Sequence, residues 1–120
     1  MEKHEVSPLD YYYEKQNETT KACLLALKAI ILSVDENIVH TRKYQIPFFR
    51  YKDFNLGFLW VHRKRIIVGF VEDKKTFADA FSKQKKDYVL TMEVNPMEDI
   101  SIDIIQGKVK ILIDKYNIIQ

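Results

Sequence analysis

From Glu18 to Ser33 the chain has neither Gly nor Pro, and Cys23, Leu24, Leu27, Ile30 and Ile31 recur at helical spacing. Asn17 supplies a cap for this helix. Ala22, Leu25, Ala26, Ala29 and Leu32 carry apolar character nearly all round it, which predicts a buried spine. A shorter helix precedes it. Ser7 can cap, Pro8 suits the first helical position and Asp10 suits the positive end of the dipole. Asp35-Glu36-Asn37 then opens a turn or short helix that reaches His40 or beyond.

From Gln45 the period changes. Ile46 to Tyr51 and Phe54 to Val71 are rich in aromatic and β-branched residues, and three strands fit, near 47–51, 54–62 and 65–71. A hairpin over His62-Arg63-Lys64-Arg65 pairs Val61 with Ile66, Leu59 with Val68 and Gly57 with Phe70. On the other face it pairs Phe58 with Gly69, Trp60 with Ile67 and His62 with Arg65. Each strand glycine thereby lies opposite a phenylalanine, an arrangement in which a ring covers bare backbone. Leu59, Val61, Ile66, Val68 and Phe70 form one apolar face. Phe54, Leu56, Phe58, Trp60, Ile67 and Val71 form a second, ending in His62 and Arg65. A sheet apolar on both sides is covered twice, or covered once and left to bind something. The expected coverings are a helix at Lys75 to Lys85 and a C-terminal helix from about Ser101 to Tyr116, where Ile102, Ile105, Val109, Leu112 and Tyr116 recur at helical spacing. Tyr88 to Val94 reads as a fourth strand, stopped by Asn95-Pro96. The order ααβββαβα lacks regular alternation and predicts an α+β fold, with a mainly antiparallel sheet of four strands or slightly more.

At 120 residues, 47% hydrophobic and 30% charged, the chain is expected to form one domain spanning its whole length. No apolar run reaches the roughly 18 to 20 residues of a membrane span, and the charged start Met1-Glu2-Lys3-His4-Glu5 has no hydrophobic stretch behind it. One cysteine, Cys23, excludes an internal disulfide and suits a reducing compartment. The expected location is therefore the cytoplasm. Charge is uneven: residues 40 to 90 carry 12 Lys/Arg against 5 Asp/Glu, whereas both flanks are net acidic. Solvated strand tips account for such a distribution, and so does a nucleic-acid footprint using Arg63, Lys64, Arg65, Lys74, Lys75, Lys83, Lys85 and Lys86.

Catalytic motifs are missing. The three glycines Gly57, Gly69 and Gly107 make no phosphate-cradling loop, Cys23 lies in an apolar helical stripe, and Ser7, Ser33, Ser82 and Ser101 sit at helix ends. A non-enzymatic domain without a cofactor is expected. His4, His40 and His62 lack paired spacing. The metal candidates are then the carboxylates Glu98, Asp99 and Asp103, which as acids near a helix start also simply complement its dipole. The constellation that points to binding is aromatic and basic: Tyr44, Pro47, Phe48, Phe49, Trp60, His62 and Arg65. Rings bounded by a few polar groups are the material of small-ligand pockets and of protein interfaces. The expected partner is a small molecule or a protein, with Trp60 and His62 lining a concave opening near Tyr44.

Lys43-Tyr44-Gln45-Ile46-Pro47-Phe48-Phe49, followed by Leu59-Trp60-Val61-His62, resembles the YdhG-like family of domains of unknown function. Cys23 to Leu32 with Asp35-Glu36-Asn37-Ile38, and Gly69-Phe70-Val71-Glu72, are also similar to its members. The family has a small residue where this chain has Gln45, and such a residue serves a close backbone approach or a positive φ. The resemblance implies a compact α+β domain. For one branch of the family it also implies a frataxin-like iron chaperone.

Overall fold

The computed structural model describes residues 6–76 and 86–119. Two helices, α1 (Pro8–Glu14) and α2 (Glu18–Leu32), open the chain. Five strands follow, β1 (Ile38–Lys43), β2 (Ile46–Tyr51), β3 (Phe54–His62), β4 (Arg65–Glu72) and β5 (Tyr88–Val94), and α3 (Ile102–Ile119) ends it. The strands make one antiparallel sheet in the order β1-β2-β3-β4-β5, so the fold is α+β. No helix among the described residues is long and apolar enough to cross a membrane.

Both N-terminal helices begin as their capping chemistry dictates. Ser7 Oγ accepts from the Asp10 amide at 3.1 Å, and Asn17 Oδ1 accepts from the Thr20 amide at 2.8 Å. One face of α2 is buried through Thr20, Cys23, Leu24, Leu27 and Ile31, whereas Leu25 is exposed. The near-continuous apolarity of α2 therefore does not make it an all-round spine. Small alanines on the outer face tolerate water, and only the stripe at i, i+3, i+4 is covered. Burial also pushes the Cys23 thiol pKa up, as expected of an inert core cysteine.

Three differences from the sequence reading change the architecture. The segment after Asn37 is strand β1, not a helical turn reaching His40; its polar sequence Ile38-Val39-His40-Thr41-Arg42-Lys43 hides the β signal because this is an edge strand with one wet side. Of the helix expected at Lys75 to Lys85, the described residues hold only Lys75 and Thr76, within a 3-10 turn (Lys74–Thr76), and the remainder lies outside them. The third difference is a β-bulge. Phe49 pairs with Gly57 but Arg50 with Asn55, so Leu56 is an extra residue that reverses the alternation of β3. Phe54 and Leu56 thereby turn to the helical side, where Phe54 stacks on Tyr116 at 4.4 Å, and Asn55 turns to the other face.

The β3–β4 register is the one read from the sequence, from Gly57↔Phe70 to His62↔Arg65. A Cβ on Gly69 would lie 2.2 Å from the Phe58 ring, so that ring covers the glycine backbone. At Gly57 the obstacle is instead the Gly69 carbonyl oxygen, 2.6 Å from a Cβ, rather than the Phe70 ring. One core joins α1, α2 and α3 to a single side of the sheet through Leu24, Leu27, Leu59, Val68, Ile105, Val109 and Tyr116. The C-terminal helix thus doubles the cover on the first face and leaves the second to other contacts.

Candidate functional site

The second face of the sheet follows from the pairing: Lys43 on β1, Ile46, Phe48 and Arg50 on β2, Asn55, Phe58, Trp60 and His62 on β3, Arg65, Ile67, Gly69 and Val71 on β4, and Val89, Thr91 and Glu93 on β5. A cavity of about 510 Å³ lies on this face, and its apolar lining is Tyr44, Ile46, Phe48, Phe58, Val71 and Val89. Lys43, Arg50, Lys74, Lys75 and Lys86 add five cations to its wall, against the two carboxylates of Asp73 and Asp87.

Those carboxylates are committed to holding the wall together. Asp73 accepts from the amides of Asn55 (2.8 Å) and Lys75 (2.9 Å), and Asp87 accepts from the Asn55 side-chain amide (2.9 Å) and the Lys74 amide (2.8 Å). Behind them, the Tyr116 hydroxyl of α3 accepts from the Asp73 amide at 2.9 Å. It lies 2.7 Å from the Asn55 carbonyl oxygen and 2.6 Å from that of Val71, so its one proton serves either carbonyl. Burial pushes the Tyr116 pKa well above the usual tyrosine range, which keeps the hydroxyl a donor. The bulge that turns Asn55 outward from the core therefore fixes one wall of the cavity.

The cations are differently placed. None of the five enters a carboxylate ion pair among the described residues. Lys43 Nζ reaches Asn55 Oδ1 at 3.3 Å and lies 5.3 Å and 5.4 Å from the ring centroids of Tyr44 and Phe48. Arg50 donates from Nη2 to the Asp53 carbonyl at 3.0 Å, but its Nε is buried without a hydrogen-bond partner. A buried orphan donor on a cation is costly. Tyr44, 76% exposed, stands at the mouth with its ring edge toward Phe48 at 6.2 Å. Tyr44 and Gln45 both have positive φ, 54° and 65°, so the backbone shape for which a small residue is suited is held here by Gln45 itself. The equally tight Arg63-Lys64 turn shares this geometry, at 50° and 67°.

The aromatic and basic residues singled out in the sequence separate into three places. Tyr44 and Phe48 line the cavity. Pro47 and Phe49 do not: both are fully buried, with the Phe49 ring tilted against His40 at 5.1 Å, because alternation along β2 sends odd-numbered residues to the helical side. Trp60, His62 and Arg65 lie outside the cavity, beside the β3–β4 turn. Trp60 is 37% exposed and stacks on His62 at 4.5 Å, and Arg65 pairs with Glu93 at 3.3 Å. The cavity at Tyr44 therefore takes in neither Trp60 nor His62, contrary to the opening expected from the sequence.

The cavity residues that the sequence reading did not group are Lys43, Arg50, Asn55, Asp73 and Asp87. A lone Asn between Phe54 and Leu56 in an apolar run was the available signal, since a buried amide marks a polar wall or a bulge. The basic set splits in the same way: Arg63, Lys64 and Arg65 cap one end of the sheet, Lys74, Lys75 and Lys86 line the cavity at the other, and Lys83 and Lys85 lie outside the described residues. Glu98, Asp99 and Asp103 are exposed, with Asp103 in the first turn of α3. Among the described residues no three His, Cys, Asp or Glu side chains come together as a metal site requires. Comparison with protein-family models, curated proteins and solved structures finds no match to this chain. The YdhG-like resemblance thus rests on the residues that carry it.

Proposed function

We propose that the protein is a non-enzymatic, cytoplasmic binding domain of YdhG-like type, and that its cavity takes a small molecule with a flat apolar body and an anionic group. The observation that carries this reading is a cavity whose five cations, Arg50 among them, have no carboxylate ion pair among the described residues. Phe48, Phe58 and Tyr44 supply an aromatic surface for the body. Arg50, with Lys43 or Lys86, supplies the anion contact. The volume fits a ligand of modest size, since small-molecule sites begin at roughly 300 Å³.

The segment that resembles the family fits this division of labour. Lys43, Tyr44 and Phe48 face the cavity, while Pro47 and Phe49 anchor the same strand in the core. No residue of the cavity is arranged as a nucleophile with a base, and its two carboxylates are spent on backbone and amide donors, which favours binding over chemistry.

A matched pair of probes tests the reading. Saturation-transfer NMR with 2-naphthoate and its neutral amide is expected to show binding of the carboxylate at about 1 mM or tighter, as ligand-efficiency limits allow for a probe of this size. Arg50→Gln is expected to weaken it by roughly tenfold, the usual worth of one charge-assisted contact. Equal binding of the amide, or no effect of Arg50→Gln, would contradict the proposal.

A further inference from the structure

The sheet ends in two unlike edges. On β1 the outer strand carries His40, Arg42 and Lys43, the charges that discourage pairing with another strand. On β5 the run Tyr88-Val89-Leu90-Thr91-Met92-Glu93-Val94 contains no Lys, Arg, Pro or Gly, and its register with β4 is unbroken from Glu72↔Tyr88 to Ile66↔Val94. Its first three residues are exposed although apolar on both sides of the sheet. Among the described residues no strand pairs with the outer edge of β5. Beside it, on the helical side, a groove of about 180 Å³ is lined by Phe70, Leu90, Ile111 and Leu112, with Ile111 65% exposed.

We infer that β5 is a self-association edge, on which a second copy of this chain pairs antiparallel about a two-fold axis at Thr91 to make a continuous ten-stranded sheet. The strand is complementary to itself in this register. Leu90 falls opposite Met92 of the second copy on the helical side, Tyr88 falls opposite its Val94, and Thr91 meets Thr91. Glu93, the one charge in the strand, meets Val89 rather than another carboxylate. The flanks complement each other as well. Lys86 precedes β5 and Glu98 and Asp99 follow it, so reversing the second copy sets the basic end of each strand beside the acidic end of the other. The groove then receives apolar side chains from the incoming strand. An isologous pairing of this kind closes on itself as a dimer.

Sedimentation velocity over a series from about 1 µM to about 1 mM of the full chain reads the assembly directly. The expected result is a monomer–dimer equilibrium whose dissociation constant rises at least about tenfold in Leu90→Lys, an edge charge, and is unchanged in Val39→Lys on the opposite edge. Circular dichroism confirms that each variant is folded. Reversal of the flanks gives the sharper test: Lys86→Glu alone and the double variant Glu98→Lys, Asp99→Lys alone are expected to be monomeric, and an equimolar mixture of the two to form a heterodimer. A monomeric wild type, a dimer indifferent to Leu90→Lys, an open polymer, or a mixture that fails to associate would each overturn the inference.

Discussion

His40 is half-buried on β1, with its Nε2 2.8 Å from the Tyr13 hydroxyl and its ring against Phe49. Burial, assisted by the nearby Lys28 charge, pushes its pKa down to about 4. A histidine depressed in this way takes up its proton in the unfolded chain first, near pH 6.5. Stability is therefore full above that value and falls as pH drops toward 4. Acidification from about pH 7 to about pH 4.5 is expected to cost roughly 1–2 kcal/mol through this residue, a figure reduced for its partial exposure. Urea denaturation at the two pH values checks it: His40→Gln, which still offers Tyr13 an acceptor, loses less stability than the wild type. Gly57 sets a harder constraint. An added Cβ meets the Gly69 carbonyl oxygen at 2.6 Å, so Gly57→Ala forces two central strands apart. A loss of about 1–3 kcal/mol in the same denaturation measurement is expected.

Among the elements, the hairpin β3–β4 was legible in the sequence because its two glycines and the alternation of Leu59, Val61, Ile66 and Val68 admit one register only. The helices were legible from their caps and apolar stripes. Strand β1 was not, because an edge strand with Arg42 and Lys43 lacks the apolar alternation of a strand buried on one face. The bulge at Leu56 escaped for a different reason: Phe54, Leu56 and Phe58 alternate without interruption as letters, and only the pairing with β2 shows that one residue is extra. From that single residue came the misplacement of Phe54 and Leu56 and the omission of Asn55 from the site. Two element-scale changes follow from the geometry. Leu27, fully buried on α2, costs about 2–5 kcal/mol when truncated to Ala. Replacing Arg63-Lys64 by Asn-Gly, which suits two consecutive positive φ angles, is expected to raise stability by about 1 kcal/mol, measured as a higher thermal midpoint.

At the scale of the molecule, three helices crowd one side of a five-stranded sheet, and the other side carries two separate groups. The cationic cavity runs from the Tyr44-Gln45 turn to the Tyr116–Asp73–Asn55–Asp87 network. Beside the β3–β4 turn, Trp60 and His62 are presented to solvent and Arg65 is tied to Glu93. The sequence marked aromatic and basic residues in both groups but could not separate them, since composition does not record which residues share a wall. The central claim is that binding belongs to the cavity. It is tested most directly by amide chemical-shift mapping of the isotopically labelled protein during titration with 2-naphthoate. Shifts concentrated at Lys43, Tyr44, Arg50, Asn55, Lys74 and Lys86, with His62 to Arg65 unmoved, are the predicted result. Shifts concentrated around Trp60, His62 and Arg65 would contradict it.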